Sequence, residues 1–227
     1  YGGSAADDNS GSLTYVKICY AGARSTADIE HNGLTLNGVG NGTKIENIYV
    51  LESADDAIEF FGGTVNVTNL LAVNPDDDMF DFTQGYCGTL KNCYGVWESD
   101  YTSTEADPRG IEADGNMDGL YPDHLRQSDF KVENMTIVNN AANTADHVDR
   151  MQDVIKIRRG VKATITNALV KGTGGAIDLV DMKDSKGAGN IESSINITST
   201  LSLTGLKQNG ELNTFVESAD NTGADAS

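Results

Sequence analysis

An all-β fold, a right-handed single-stranded parallel β-helix with loop insertions on one face, is predicted by three observations. A nine-residue pattern recurs six times in one register, the third place of that pattern is asparagine in five of the six copies, and a shorter alternating segment separates successive copies. The long segments are residues 13–21, 45–53, 67–75, 90–98, 132–140 and 165–173. Their first column reads Leu13, Ile45, Val67, Leu90, Val132, Ile165, their fourth Val16, Ile48, Leu70, Cys93, Met135, Ala168, and their sixth Ile18, Val50, Ala72, Gly95, Ile137, Val170. Apolar or small residues at fixed places are what an inward-facing column requires.

The third column reads Tyr15, Asn47, Asn69, Asn92, Asn134, Asn167. Strands stacked in register lie about 4.8 Å apart, so identical amides can hydrogen-bond along the stack. The shorter segments, 34–36, 57–60, 79–82, 110–113, 154–157 and 176–179, alternate apolar with polar residues, as strands do. Each coil therefore holds at least two strands, and the compact coils span 22 and 23 residues, from Ile45 to Val67 and from Val67 to Leu90. A β-sandwich would not align column by column, and no helix-period stretch of useful length is present.

Longer excursions at 99–108, 114–128, 141–152 and 181–191 are expected as insertions on a binding face. The solenoid is expected to occupy residues 1–219 as a fragment of a longer one, with 220–227 a polar tail or linker.

Composition narrows the function classes. Among 227 residues there are 34 acids and 16 bases, a net charge of -18, which repels nucleic acid and anionic membrane. No apolar run approaches the roughly 20 residues of a bilayer span. The three cysteines, Cys19, Cys87 and Cys93, are odd in number and form no CxxC pair, which argues against a disulfide framework and a structural zinc site. Glycine is abundant, with 25 residues, as tight turns between short strands demand.

The chemistry-bearing feature is acidic. Asp55 and Asp56 precede one short strand, Asp76, Asp77 and Asp78 the next, and Asp153 a later one, so Asp56, Asp78 and Asp153 share a column that Arg109 interrupts. The outward place of the short strand adds Glu59, Asp81, Glu112 and Asp178, with Lys156 as the exception. Two carboxylates about 5 Å apart repel by roughly 3 kcal/mol at an effective dielectric of 20. They can stay solvated, cap turns, retain a proton, or share a cation. Calcium is the expected ion, held by Asp55, Asp56, Asp77 and Asp78. The catalytic alternative is a set of Asp56, Asp78 and Asp81 with Lys156 or Arg158.

The basic residues Arg109, Arg126, Lys156, Arg158 and Arg159 gather beside this face, either to neutralise it or to receive an acidic sugar. His31, His124 and His147 have no metal-ligand spacing, though Asp146-His147 could set a titratable group above the acids. Trp97 with Tyr86, Tyr94, Tyr101 and Tyr121 could either stack on sugars or pack the loops. Four Asn-Xaa-Thr sequons, beginning at Asn41, Asn66, Asn134 and Asn196, are explained by strand and turn composition.

The stretches Gly33-Leu-Thr-Leu-Asn-Gly-Val-Gly40, Asp55-Asp-Ala-Ile-Glu-Phe-Phe-Gly-Gly-Thr-Val-Asn66, Asp76-Asp-Asp-Met-Phe-Asp-Phe82, Gly110-Ile-Glu-Ala-Asp114, Asn134-Met-Thr-Ile-Val138 and Ile157-Arg-Arg-Gly160 occur together. In these the chain resembles, over about residues 1–179, a large family of secreted proteins and lipoproteins common in Bacteroidetes and other Gram-negative bacteria. The resemblance implies a β-helix that is secreted or held on the outer surface, and it carries over no catalytic residues. A weaker likeness, to polygalacturonase-type hydrolases, rests on Asp55-Asp56 and Lys156-Ile-Arg158; the Gly-His-Gly element of those enzymes is missing.

Two functions remain open at this point. One is a non-catalytic extracellular solenoid, calcium-stabilised, that binds a polysaccharide, a surface glycan or further copies of itself through the solenoid ends. The other is a polysaccharide lyase or glycoside hydrolase acting on an acidic polysaccharide.

Overall fold

The computed structural model describes residues 4–23, 31–115, 126–141, 151, 153–176, 178–183, 192–202, 207–208, 211–212 and 216–217. Strands alternate between long and short along the chain: β1 (Ser12–Cys19), β2 (Leu34–Asn37), β3 (Lys44–Leu51), β4 (Ile58–Phe61), β5 (Asn66–Val73), β6 (Phe80–Thr83) and β7 (Thr89–Trp97). They continue as β8 (Ile111–Asp114), β9 (Asp129–Asn139), β10 (Asp153–Arg158), β11 (Lys162–Lys171), β12 (Asp178–Asp181) and β13 (Ser194–Thr198). The odd-numbered strands form one parallel sheet in the order β1-β3-β5-β7-β9-β11-β13, and the even-numbered strands a second, from β2 through to β12. Each strand pairs with the one two places on, the topology of a parallel β-helix. Among the described residues no helix is long and apolar enough to cross a membrane.

The register is the one the columns predict. Leu13, Ile45, Val67, Leu90, Val132 and Ile165 lie side by side, as do Ile18, Val50, Ala72, Gly95, Ile137 and Val170. From the second coil onward these columns are buried, apart from the side chain that Gly95 lacks. Gly95 is the small member of its column because the sulfur of Met79 occupies the place a Cβ would take.

The asparagine column does more than stack. Tyr15, Asn47, Asn69, Asn92, Asn134 and Asn167 all have φ between 54° and 60°, the left-handed region, so each long strand is bent at its third place. Asparagine tolerates that backbone better than other side chains with a Cβ. Its amide then closes a ladder: Asn69 Nδ2 donates to Asn47 Oδ1 at 2.8 Å, Asn92 to Asn69 at 3.0 Å, Asn134 to Asn92 at 2.8 Å and Asn167 to Asn134 at 2.8 Å. Positive φ also recurs at Tyr20, Glu52 and Asn74, and at Gly38, Gly62, Gln84 and Arg159, so a coil is bent at three places and presents three faces. Asn92→Leu should therefore cost about 2 kcal/mol, from the left-handed backbone and two lost amide bonds, with Asn92→Gly costing less. Urea unfolding measures this; a leucine variant within about 0.5 kcal/mol of the parent would rule out the ladder as a stabilising device.

The core is aromatic where the two sheets meet around the third coil. Phe82 stacks on Phe60 at 5.1 Å and on Phe130 at 4.1 Å, with Tyr86 alongside at 5.5 Å. All four rings are fully buried. All three cysteines are free thiols.

The insertions do not share one junction. Those after β7 and β9 lead from a long strand to a short one, and those after β8 and β12 lead back. The outward side of the short-strand sheet is covered in part, with Glu59 of β4 and Glu112 of β8 left half-buried. All four residues of β6 are buried, and so are all four of β12. Segment 99–108 contributes to the cover through Ser103, which is 1% exposed and donates its hydroxyl to the Asp76 carbonyl at 2.5 Å.

Candidate functional site

The short strands place their outward residues in two columns. Strand register and backbone hydrogen bonds align Asn32, Asp56, Asp78, Arg109, Asp153 and Asp178 in one. Thr35, Glu59, Asp81, Glu112, Lys156 and Asp181 form the other. The shared column of Asp56, Asp78 and Asp153, interrupted by Arg109, is as predicted. Asp178 is a correction: it was expected opposite Lys156 and instead sits opposite Asp153, with Asp181 opposite Lys156. Both registers put an acid between apolar residues. The adopted one is the register in which Lys156 Nζ and Asp181 form an ion pair at 2.5 Å.

Charge divides the face into two parts. From the fourth coil onward acids and bases interlock. Arg109 reaches Glu112 at 2.6 Å, Asp107 at 3.0 Å and Asp153 at 3.4 Å. Arg158 reaches Glu112 at 2.6 Å and Asp114 at 2.7 Å, and Arg159 joins Asp114 at 2.7 Å. Burial works against the Arg109 guanidinium, but Glu112, Asp78, Asp107 and Asp153 outweigh it and hold its pKa above the ordinary value. Here the bases neutralise the acids, the simpler of the two roles expected of them.

The second and third coils carry the acids without such a lattice. Asp55, Asp56 and Asp77 bring one carboxylate oxygen each within 4.8 Å of one another, and Asp56, Glu59 and Asp81 do the same. Asp78 lies beside them: its N–H donates to Asp56 Oδ1 at 3.0 Å, and its side chain is 2% exposed. One oxygen of Asp77, one of Asp78 and one of Asp81 is buried with no hydrogen-bond partner. Burial first, then the neighbouring carboxylates, pushes Asp56, Asp78 and Asp81 well above the ordinary aspartate pKa. The same causes raise Asp77 to about 8. Burial raises Asp55 too, against the opposing pull of the Asp56 N–H.

Buried polar atoms are almost always hydrogen-bonded, and an ionised carboxylate left alone in the interior is strongly disfavoured. Such a cluster either keeps protons or holds a cation. The donor groups are carboxylates alone, with neither histidine nor cysteine among them, which suits a hard cation such as calcium and not zinc. Of the four residues expected to hold calcium, Asp55, Asp56 and Asp77 fall in one group and Asp78 adjoins it. Glu59 and Asp81 belong with them; Glu59 was visible in the outward column, but nothing local distinguished it from Glu112. Asp76 has another task. Its carboxylate accepts from the Thr104 N–H at 2.7 Å and from the Tyr101 hydroxyl at 3.1 Å, anchoring segment 99–108.

The catalytic alternative is brought together only in part. Asp56, Asp78 and Asp81 are neighbours, whereas Lys156 and Arg158 stand two coils beyond Asp78 and Asp81, about 10 Å along the stack. His31 is exposed and acts electrostatically on Asp55. His124, His147, Tyr121 and the tail 220–227 lie outside the described residues. The aromatic residues do not form one platform. Trp97 and Tyr86 are core, donating to the carbonyls of Pro75 at 3.0 Å and Val65 at 2.8 Å, and Tyr101 packs on Trp97 with ring centroids 6.0 Å apart. Tyr94 is 39% exposed on the long-strand sheet instead.

Among known families, the model of the pectate-lyase-like β-helix domain matches residues 1–227. No curated protein and no solved structure matches the chain.

Proposed function

This chain belongs to the family of pectate-lyase-like β-helix domains, and on that premise we propose that it is an extracellular, non-catalytic solenoid whose acidic short-strand face binds calcium and, through it, an acidic polysaccharide. The observation that carries this reading is the pair of carboxylate groups sharing Asp56, with buried oxygens of Asp77, Asp78 and Asp81 left without partners. A cation there satisfies those oxygens and cancels the repulsion between coils. Calcium carries six to eight oxygen ligands, so coordination places beyond the carboxylates remain for water or for a uronate carboxylate.

The reading is tested by melting chelator-treated protein with and without calcium. Calcium at about one hundred times its dissociation constant should stabilise the fold by about 2.7 kcal/mol, several degrees in Tm. The increment should vanish in Asp56→Asn. Retention on an immobilised acidic polysaccharide should require calcium. An unchanged Tm at millimolar calcium would discard the cation, and calcium-independent retention would discard its bridging role.

The lyase or hydrolase reading is favoured by the family and by the meeting of Asp56, Asp78 and Asp81. A panel of acidic polysaccharides, assayed for unsaturated uronate ends and for new reducing ends, separates the two. Turnover that Asp78→Asn abolishes without unfolding would replace the non-catalytic reading.

A further inference from the structure

Four outward residues of β10 and β12 stand together, away from the second and third coils. Strand register sets Asp153 opposite Asp178 and Lys156 opposite Asp181, and all four are buried. Lys156 has a second strand neighbour, Glu112, but Arg109 and Arg158 hold that carboxylate, each at 2.6 Å. The amine is left to Asp181. Its Nζ stands 2.5 Å from Oδ2, inside the usual ammonium–carboxylate range of about 2.7–2.9 Å. The other oxygen, Oδ1, accepts from the Lys183 N–H at 2.7 Å.

We propose that Lys156 and Asp181 condense to an isopeptide bond, a covalent tie between neighbouring coils. The step is a dehydration and needs no co-reactant. The Lys156 ammonium gives a proton to the Asp181 carboxylate, the neutral Nζ adds to Cγ, and the Cγ–Oδ2 bond breaks. Oδ2 leaves as water with two of the three ammonium protons, and the third stays on the amide nitrogen.

The surroundings favour the bond over the ion pair. Both residues are 5% exposed, so the charged pair bears a desolvation cost that a neutral amide does not. The Lys183 N–H faces the oxygen on which negative charge develops in the tetrahedral intermediate. Asp153 acts electrostatically on both partners. Burial first, and then Asp181, raises it to about 6, so it can pass protons from Nζ to Oδ2. Fixed contact between amine and carboxyl supplies an effective molarity of about 10⁵–10⁸ M, which favours condensation even in water.

The test is the mass of the denatured full chain, read by electrospray mass spectrometry. One water less than the sequence mass is expected, with a protease digest returning Lys156 and Asp181 in a single branched peptide. Lys156→Arg keeps the positive charge but not the amine, and should show the full sequence mass and a lower urea midpoint. Asp181→Asn should still condense, losing ammonia in place of water. Asp153→Asn should slow the loss of water in freshly purified chain. The mass is read on unfolded protein, so the branched peptide of the parent decides even where a variant fails to fold. Full sequence mass in the parent, or a water loss that survives Lys156→Arg, would overturn the bond and leave a buried ion pair.

Discussion

Phe82→Ala is expected to destabilise the solenoid by about 3–5 kcal/mol, the range for deleting a fully buried phenylalanine. Phe82 is 0% exposed and lies between Phe60 and Phe130 in one stack, with Tyr86 against its side. Its ring joins the short-strand column of Phe60 to a residue contributed by β9, so its loss opens a cavity at the meeting of the two sheets. Relaxation around that cavity is limited, because the next residue of the same column, Ala113, is too small to fill it. Urea unfolding of Phe82→Ala beside Tyr94→Ala makes the comparison. Tyr94 belongs to the same solenoid but stands outside it, and its loss should cost under about 1 kcal/mol. Equal losses at the two positions would deny the stack its role.

The second large effect is a fall in stability as pH rises in the absence of calcium. Asp153 is held at about 6, chiefly by burial and then by Asp181, against the pull of Arg109. Asp77 is held at about 8 by burial and by its acidic neighbours. Between the ordinary aspartate value and these, the folded chain keeps protons that the unfolded chain has released. Their stabilisation is complete below about pH 4 and disappears as pH rises through about 6 for Asp153 and about 8 for Asp77. The Asp153 part alone amounts to about 3 kcal/mol. Unfolding measured in chelator across pH 4 to 8 should show the decline, and Asp153→Asn should flatten its lower half. Stability that is level or increasing over this range would contradict the buried state of these acids. Calcium should offset the upper part of the decline, since it replaces the protons released at Asp77.

The acids also show what a sequence can and cannot reveal of a site. Asp56, Asp78 and Asp153 were legible as one column because each stands two residues before an apolar residue of the short segment, Ile58, Phe80 and Ile155. Asp178 was placed wrongly because the alternation of 176–179 was matched alone; the spacing of Asp178-Leu-Val-Asp181, which repeats that of Asp153-Val-Ile-Lys156, marks the adopted register. Lys156 and Arg158 looked like partners of Asp78 because they occupy the same face. Which coil a residue stands on separates them, and the intervening coil, with Arg109 and Glu112, belongs to the ion-paired lattice. Trp97 and Tyr86 could have served as a sugar platform or as core. Their burial decides for the core, since an aromatic residue next to an inserted loop reads alike in either role.

By itself the sequence determined the coil, its repeat, the apolar columns and the asparagine stack, because parallel stacking places every equivalent residue at a fixed spacing and so writes its demands as periodicity. Only the tertiary structure decided that the asparagines adopt left-handed backbone, that Asp56, Asp78, Asp81, Asp153 and Asp178 are buried, and that Asp55 and Asp77 gather apart from Glu59 and Asp81 around Asp56. Periodicity records which face of a strand a side chain takes. What lies over that face, and therefore whether a carboxylate meets water, an arginine or another carboxylate, depends on segments that follow no repeat.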